Sequence, residues 1–172
     1  MPTTYQTADQ SVTSLVKAVL NQFHRELVEV KLTVNVLMAT PEKDEHGEPV
    51  RPALKHHGWP AAAIVKINSL QDRVEGKDDV TIRIDADWWE AHNDAERRAL
   101  LDHEMAHVIV KRDKDEQVVA DDVGRPKLKM RPHDYEITSF HDVAKRHGTN
   151  SCEVQGAMVF AKSPTGQLLM WG

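Results

Sequence analysis

His103-Glu104-Met105-Ala106-His107 is the stretch whose reading decides the fold. Residues four apart on an α-helix lie about 40° apart around its axis, so both imidazoles reach one point in space. Glu104 stands roughly 100° from His103, too far round to join them as a ligand. It can instead hold a water bound to the metal. Two helical imidazoles and an adjacent carboxylate are the ligands and general base of a metallohydrolase. Five residues recur by chance, so the surrounding chain has to support the reading.

The metal helix has a legible start. Asn93 as N-cap and Glu96 three residues later form a capping box, and Ala95, Ala99, Leu100, Ala106 and Val110 supply a packing face. The charge run Lys111–Glu116 ends it. Upstream, Val12, Leu15, Val16, Val19, Leu20, Phe23 and Leu27 recur at three and four, predicting a helix over 9–26 with Asp9 as N-cap. Lys31 to Ala39 alternates as a half-buried strand. Residues 40–60 carry charge and prolines and read as an exposed loop, with His46, His56 and His57 facing solvent. Ala61 to Leu70 reads as a second strand and Val80, Ile82 and Ile84 as a third. Trp88 and Trp89 fall in a helical turn begun near Asp85. Downstream come a turn over 121–126, a short strand over 127–130 and a last helix over 134–147, which Gly148 ends. From residue 150 the sequence offers a turn at Ser163-Pro164-Thr165-Gly166 and little more.

With 172 residues, 40% hydrophobic and 28% charged, the chain suits a single globular domain, its core over about 10–150 and a tail over 150–172. A net charge of −5 gives no global case for nucleic acid or anionic membranes. The cluster Arg125, Lys127, Lys129 and Arg131 is local. Cys152 is the only cysteine, which excludes an intramolecular disulfide and a Cys-based zinc site. No leader or membrane-length apolar run is visible, so a cytoplasmic location is the expectation.

Catalytic zinc takes three protein ligands and keeps one position for water. Asp113 and His133 compete for the third place. Asp113 follows His107 by six residues, but that spacing needs the helix to stop at a glycine where this chain has Val110. His133, after a turn and a short strand and at the mouth of the last helix, is the better placed. His141 and His147 read as boundary packing. Ligand histidines donate their other ring N–H to a carboxylate or carbonyl, and Asp102, Asp134 and Glu136 are the acids near in sequence. Tyr135 and Arg131 are the candidate substrate contacts.

The segment Leu101-Asp102-His103-Glu104-Met105-Ala106-His107-Val108 resembles the zincin helix of the putative phage metallopeptidase family. So does Asp122-Val123-Gly124-Arg125-Pro126-Lys127-Leu128-Lys129-Met130-Arg131-Pro132-His133-Asp134, followed by Arg146-His147-Gly148. The likeness covers roughly residues 10–150, and its second block is much more distinctive than the pentapeptide. Ile137 departs from it, where an aromatic residue is expected. The resemblance implies an α+β, minimal zincin-like domain related in plan to SprT-like proteases. It implies a small, mainly antiparallel sheet of three to four strands packed on an N-terminal helix, the metal helix and a C-terminal helix. It carries the third-ligand role onto His133, and with it one zinc ion per chain, peptide or protein substrates and a bacterial host cytoplasm.

On this reading His103, His107 and His133 hold zinc and Glu104 is the base of a peptidase. An extended substrate would lie along the strand edge from Asp79 to Ile84. Two rivals remain: a zinc-binding interaction domain without catalysis, which has no use for Glu104, and a protein acting at nucleic acid, supported only by the 125–131 cluster.

Overall fold

The computed structural model describes residues 3–133 and 140–162. Asp134, Tyr135, Glu136, Ile137 and the turn over 163–166 lie outside the described residues. Thr4–Thr7 (β1) precedes helix Gln10–Phe23 (α1), whose N-cap Asp9 accepts from Ser11 and Val12 N–H as the sequence predicts. Arg25–Glu29 (α2) and strand Val34–Thr40 (β2) follow. The expected loop over 40–60 contains a hairpin, Lys55–His56 (β3) with Trp59–Pro60 (β4).

Strand Ala63–Ile67 (β5) is shorter than predicted, because Ser69 opens a capped helix, Leu70–Val74 (α3). Val80–Asp85 (β6) then runs into Ala86–Ala91 (α4), where Trp89 is buried. The metal-motif helix is Asp94–Ala106 (α5), opened by the Asn93–Glu96 capping box. It ends four residues sooner than expected. Val108–Val110 (β7) is a strand, as three successive β-branched residues favour, paired with Leu128–Met130 (β8).

One four-stranded sheet has the order β1-β2-β6-β5. Its outer pairings are antiparallel and its central pair, β2 with β6, is parallel. The sheet is therefore mixed, and β6 is flanked on both sides. The expected free edge at Asp79–Ile84 is corrected, since the edge on this side is β5. Alternation marks which face of a strand is buried and says nothing of its neighbours. Val36, Ile82 and Val65 stand in register across three strands. With Val16 and Val19 of α1 and Leu101 and Met105 of α5 they belong to one apolar core. Both helices thus cover one sheet face, and burying these chains is the main favourable term.

The chain closes with His141–His147 (α6) and Cys152–Lys162 (α7). α7 corrects the reading of residues beyond 150 as a featureless tail. Its apolar residues are weakly periodic, yet Ser151 left a signal: its hydroxyl accepts from Val154 N–H, a cap. None of the described helices is long and apolar enough to cross a membrane.

Two local devices hold loops and helices in place. A single loop design is used three times, at 44–48, 113–117 and 121–125. In each an aspartate (Asp44, Asp113, Asp121) accepts from the N–H groups two and four residues on. The position three residues on takes a positive φ: Gly47 at 83°, Glu116 at 60° and Gly124 at 77°. Asp113 is spent in this way and belongs to no candidate metal group among the described residues. The second device is Asp102, fully buried, which accepts from Arg146 at 2.9 and 2.7 Å and bonds His24 and His147 Nε2 at 2.8 Å each. It ties the end of α1 and helix α6 to α5. Burial raises its pKa, but His24, Arg146 and His147 outweigh that and hold it well below the usual carboxylate range.

Glu116→Gly should raise stability in urea by about 0.5 kcal/mol, the left-handed strain relieved less the entropy that glycine adds, whereas Gly124→Ala should lower it. Asp102→Asn should cost about 3 kcal/mol at pH 7 by stranding Arg146. A depressed carboxylate stabilises above its unfolded pKa and loses that as pH falls, so the gap between the variant and wild type should narrow below about pH 4. A constant gap from pH 7 to 3 would contradict this.

Candidate metal centre

α5 presents His103, Glu104 and His107 from its last turn. His107 is the C-cap residue and keeps helical angles (φ −71°, ψ −20°), so the four-residue spacing survives the helix end. The chain then leaves as β7 and returns as β8, with Val108 opposite Met130. Beyond that ladder Arg131 and His107 exchange two hydrogen bonds. Arg131 N–H donates to the His107 carbonyl at 2.6 Å, and His107 Nδ1–H donates to the Arg131 carbonyl at 2.8 Å. Two residues later stands His133.

The structure brings His103, His107 and His133 together, each offering a ring nitrogen within 4.8 Å of the others. His103 Nε2 and His133 Nε2 are 3.2 Å apart. Two nitrogens each about 2.0–2.1 Å from zinc in a tetrahedral site stand roughly 3.4 Å apart, so the spacing fits. The donor set fits as well: the Nδ1 atoms of His103 and His107 are engaged elsewhere, which turns Nε2 inward. Phe140, 1% exposed, backs all three rings at centroid distances of 5.0, 4.7 and 5.0 Å and limits their rotation.

His103 Nδ1–H donates to Glu153 Oε1 at 2.5 Å, across a gap of 50 residues. This partner is not among the three acids expected from the sequence. Asp102 points away into its own cluster, and Asp134 and Glu136 lie outside the described residues. Glu153 escaped notice because α7 did. Cys152 sits beside it, its sulfur 3.3 Å from Glu153 Oε2 and 3.8 Å from His103 Nδ1. Burial raises the Cys152 pKa above that of an ordinary thiol, so it stays protonated at neutral pH.

Burial would lower the His103 pKa, but bonds to Cys152 and Glu153 and the Glu104 charge outweigh it and push the imidazole up to about 10. Burial lowers His107. It also lowers His133, with repulsion from the other two rings, to about 4. Of the three rings, His103 therefore holds a proton most tightly. Glu104, 6% exposed, accepts Val65 N–H on Oε2 at 2.7 Å, and its burial raises its pKa.

These groups open on a cleft of about 420 Å³. His56, His57 and Trp59 of the β3–β4 hairpin also line it. The two histidines are exposed as expected, but they face the cleft. The Arg131 guanidinium lies over the Phe140 ring at 5.2 Å. Arg125 donates to Asp79 at 2.6 Å and to Thr33 at 2.5 Å. The basic cluster is thereby broken up, with Lys127 and Lys129 left exposed.

A family model described as putative phage metallopeptidase matches residues 5–162, so the chain belongs to that family. No curated protein and no solved structure matches it.

Glu153→Gln should weaken metal binding at the three histidines about 10- to 100-fold while leaving the fold intact. A ring held at about 10 carries a proton at pH 7 that a metal must displace, so wild-type binding should release about one proton per ion. The variant should release less. Calorimetry in buffers of different ionisation enthalpy reads both quantities, and equal proton release in the two proteins would contradict the assignment.

Proposed function

We propose that this member of the putative phage metallopeptidase family is a zinc-dependent peptidase on a minimal zincin-like domain, with His103, His107 and His133 holding one ion per chain and Glu104 as general base. One observation carries the reading: three imidazoles converge on a point beside a buried carboxylate. When bound, zinc polarises the scissile carbonyl and brings the pKa of a water toward about 7.

The chain's own groups do the rest. Glu104 takes the proton of the attacking water and delivers one to the leaving amine. Its raised pKa suits the first duty, because a carboxylate of ordinary acidity would take the water's proton less readily. Val65 N–H engages Oε2 and leaves Oε1 for the water. That bond also links the base to β5, one of the two edge strands of the sheet. A peptide extended along β5 would therefore lie beside the carboxylate. Glu153 fixes the tautomer and angle of His103, and the Arg131 carbonyl does the same for His107.

A zinc site with a purely structural role has no use for a carboxylate facing the open position. Action at nucleic acid loses support, since Arg125 is held by Asp79 and Thr33. The bacterial host cytoplasm fits the family.

Glu104→Gln keeps an oxygen for the Val65 N–H and removes the base. It should bind zinc like the wild type and lose about 10³-fold or more in kcat on any cleaved peptide. Normal zinc content with undiminished turnover would refute the role of Glu104.

A further inference from the structure

The β3–β4 hairpin stands at the cleft, and the proposed chemistry makes no use of it. His57 (φ 49°) and Gly58 (φ 87°) form the left-handed pair that a two-residue hairpin turn demands. His56 and Trp59 face each other in register, so their side chains leave the hairpin on the same side. Both line the cleft that holds His103, Glu104, His107 and His133.

Trp59 is 77% exposed, whereas Trp89 in α4 is 7% exposed. An indole left in water marks a binding surface where further apolar side chains adjoin it, and here they do. Met130 of β8, 46% exposed, lines the same cleft, and Ala61, Ala63 and Ile64 add apolar surface. The ionisable groups on its described lining are the histidines, Glu104, Cys152 and Glu153. Glu153 is bound to His103 and Glu104 to Val65, which leaves no carboxylate or ammonium among the described lining residues to pair a charged substrate side chain. The cleft is also continuous with the edge strand β5 through Ala63, Ile64 and Val65.

We propose that Trp59, with Met130, is the specificity-determining contact, and that it covers a bulky apolar side chain of an extended peptide next to the bond that is cut. The proposal rests on the peptidase reading and names its substrate class. Trp59 acts on substrate affinity and takes no part in proton transfer. Its loss raises KM for apolar peptides and leaves kcat near its wild-type value.

The test uses the zinc-loaded full chain, as wild type, Trp59→Ala and Trp59→Phe, on a peptide library from a digested bacterial proteome. Retention of the same peptides on zinc-loaded Glu104→Gln, with and without Trp59→Ala, is measured in parallel. Leu, Ile, Met or Phe should be enriched at one position beside the scissile bond. Trp59→Ala should lose about tenfold in kcat/KM on those peptides through KM, with little change for peptides bearing Gly or Ser there, and Trp59→Phe should restore most of it. Retention should follow the same pattern, with zinc content equal in all proteins. Cleavage without that preference, or a preference that survives Trp59→Ala, would overturn the proposal and leave the peptidase reading intact. No cleavage, with Trp59-dependent retention, would sink the peptidase reading and keep the contact. Neither cleavage nor retention would end both. A dimer in sedimentation that Trp59→Ala abolishes would make a second copy the occupant and overturn the proposal.

Discussion

Two hydrogen bonds between His107 and Arg131 close the site, and the rest of the centre depends on them. A helix alone can aim two imidazoles at a point; a third must come from elsewhere in the chain. Here the helix stops at Ala106, and a ladder of three residues a side returns the chain to His107. One of the two bonds fixes the backbone path toward His133. The other orients the His107 ring, so the same contact sets the position of one donor and the angle of another.

Asp102, His103 and Glu104 are three consecutive ionisable residues, all buried on one helix. Successive residues turn by about 100°, so the three side chains face different neighbours. Asp102 meets α6 and the end of α1, His103 meets α7, and Glu104 meets β5. Burying a charge without a partner costs several kcal/mol or more. Each of these is offset by its own partner, and those partners are the elements that pack around α5. The desolvation that would destabilise a bare charged helix thus specifies how the surrounding layers dock. It also raises the proton affinity of Glu104, the property a general base at neutral pH needs.

Much of this was legible where the signal is local. Asp9, Asp85 and the Asn93–Glu96 pair announce their helices because a cap is a contact within three residues. The pentapeptide and the block ending at Asp134 made the three histidines candidates, and the structure gathers them. What escaped detection depends on contacts distant in sequence. Periodicity cannot tell that β6 lies between β2 and β5, so the edge was assigned to the wrong strand. Val108-Ile109-Val110 reads equally as helix face or strand until β8 is there to pair with it. Glu153 could not be matched to His103 across 50 residues once α7 had been passed over. His56, His57 and Trp59 looked like a solvated loop, since nothing in their own neighbourhood says which cleft the hairpin borders.

X-ray absorption at the zinc edge of the metal-loaded protein tests the central claim most directly. Three imidazole nitrogens and one further light atom at about 2.0–2.1 Å, with no sulfur in the shell, is the result expected of His103, His107 and His133. A sulfur at about 2.3 Å would put Cys152 on the ion, with His103 and Glu153 as its companions, and would contradict the account.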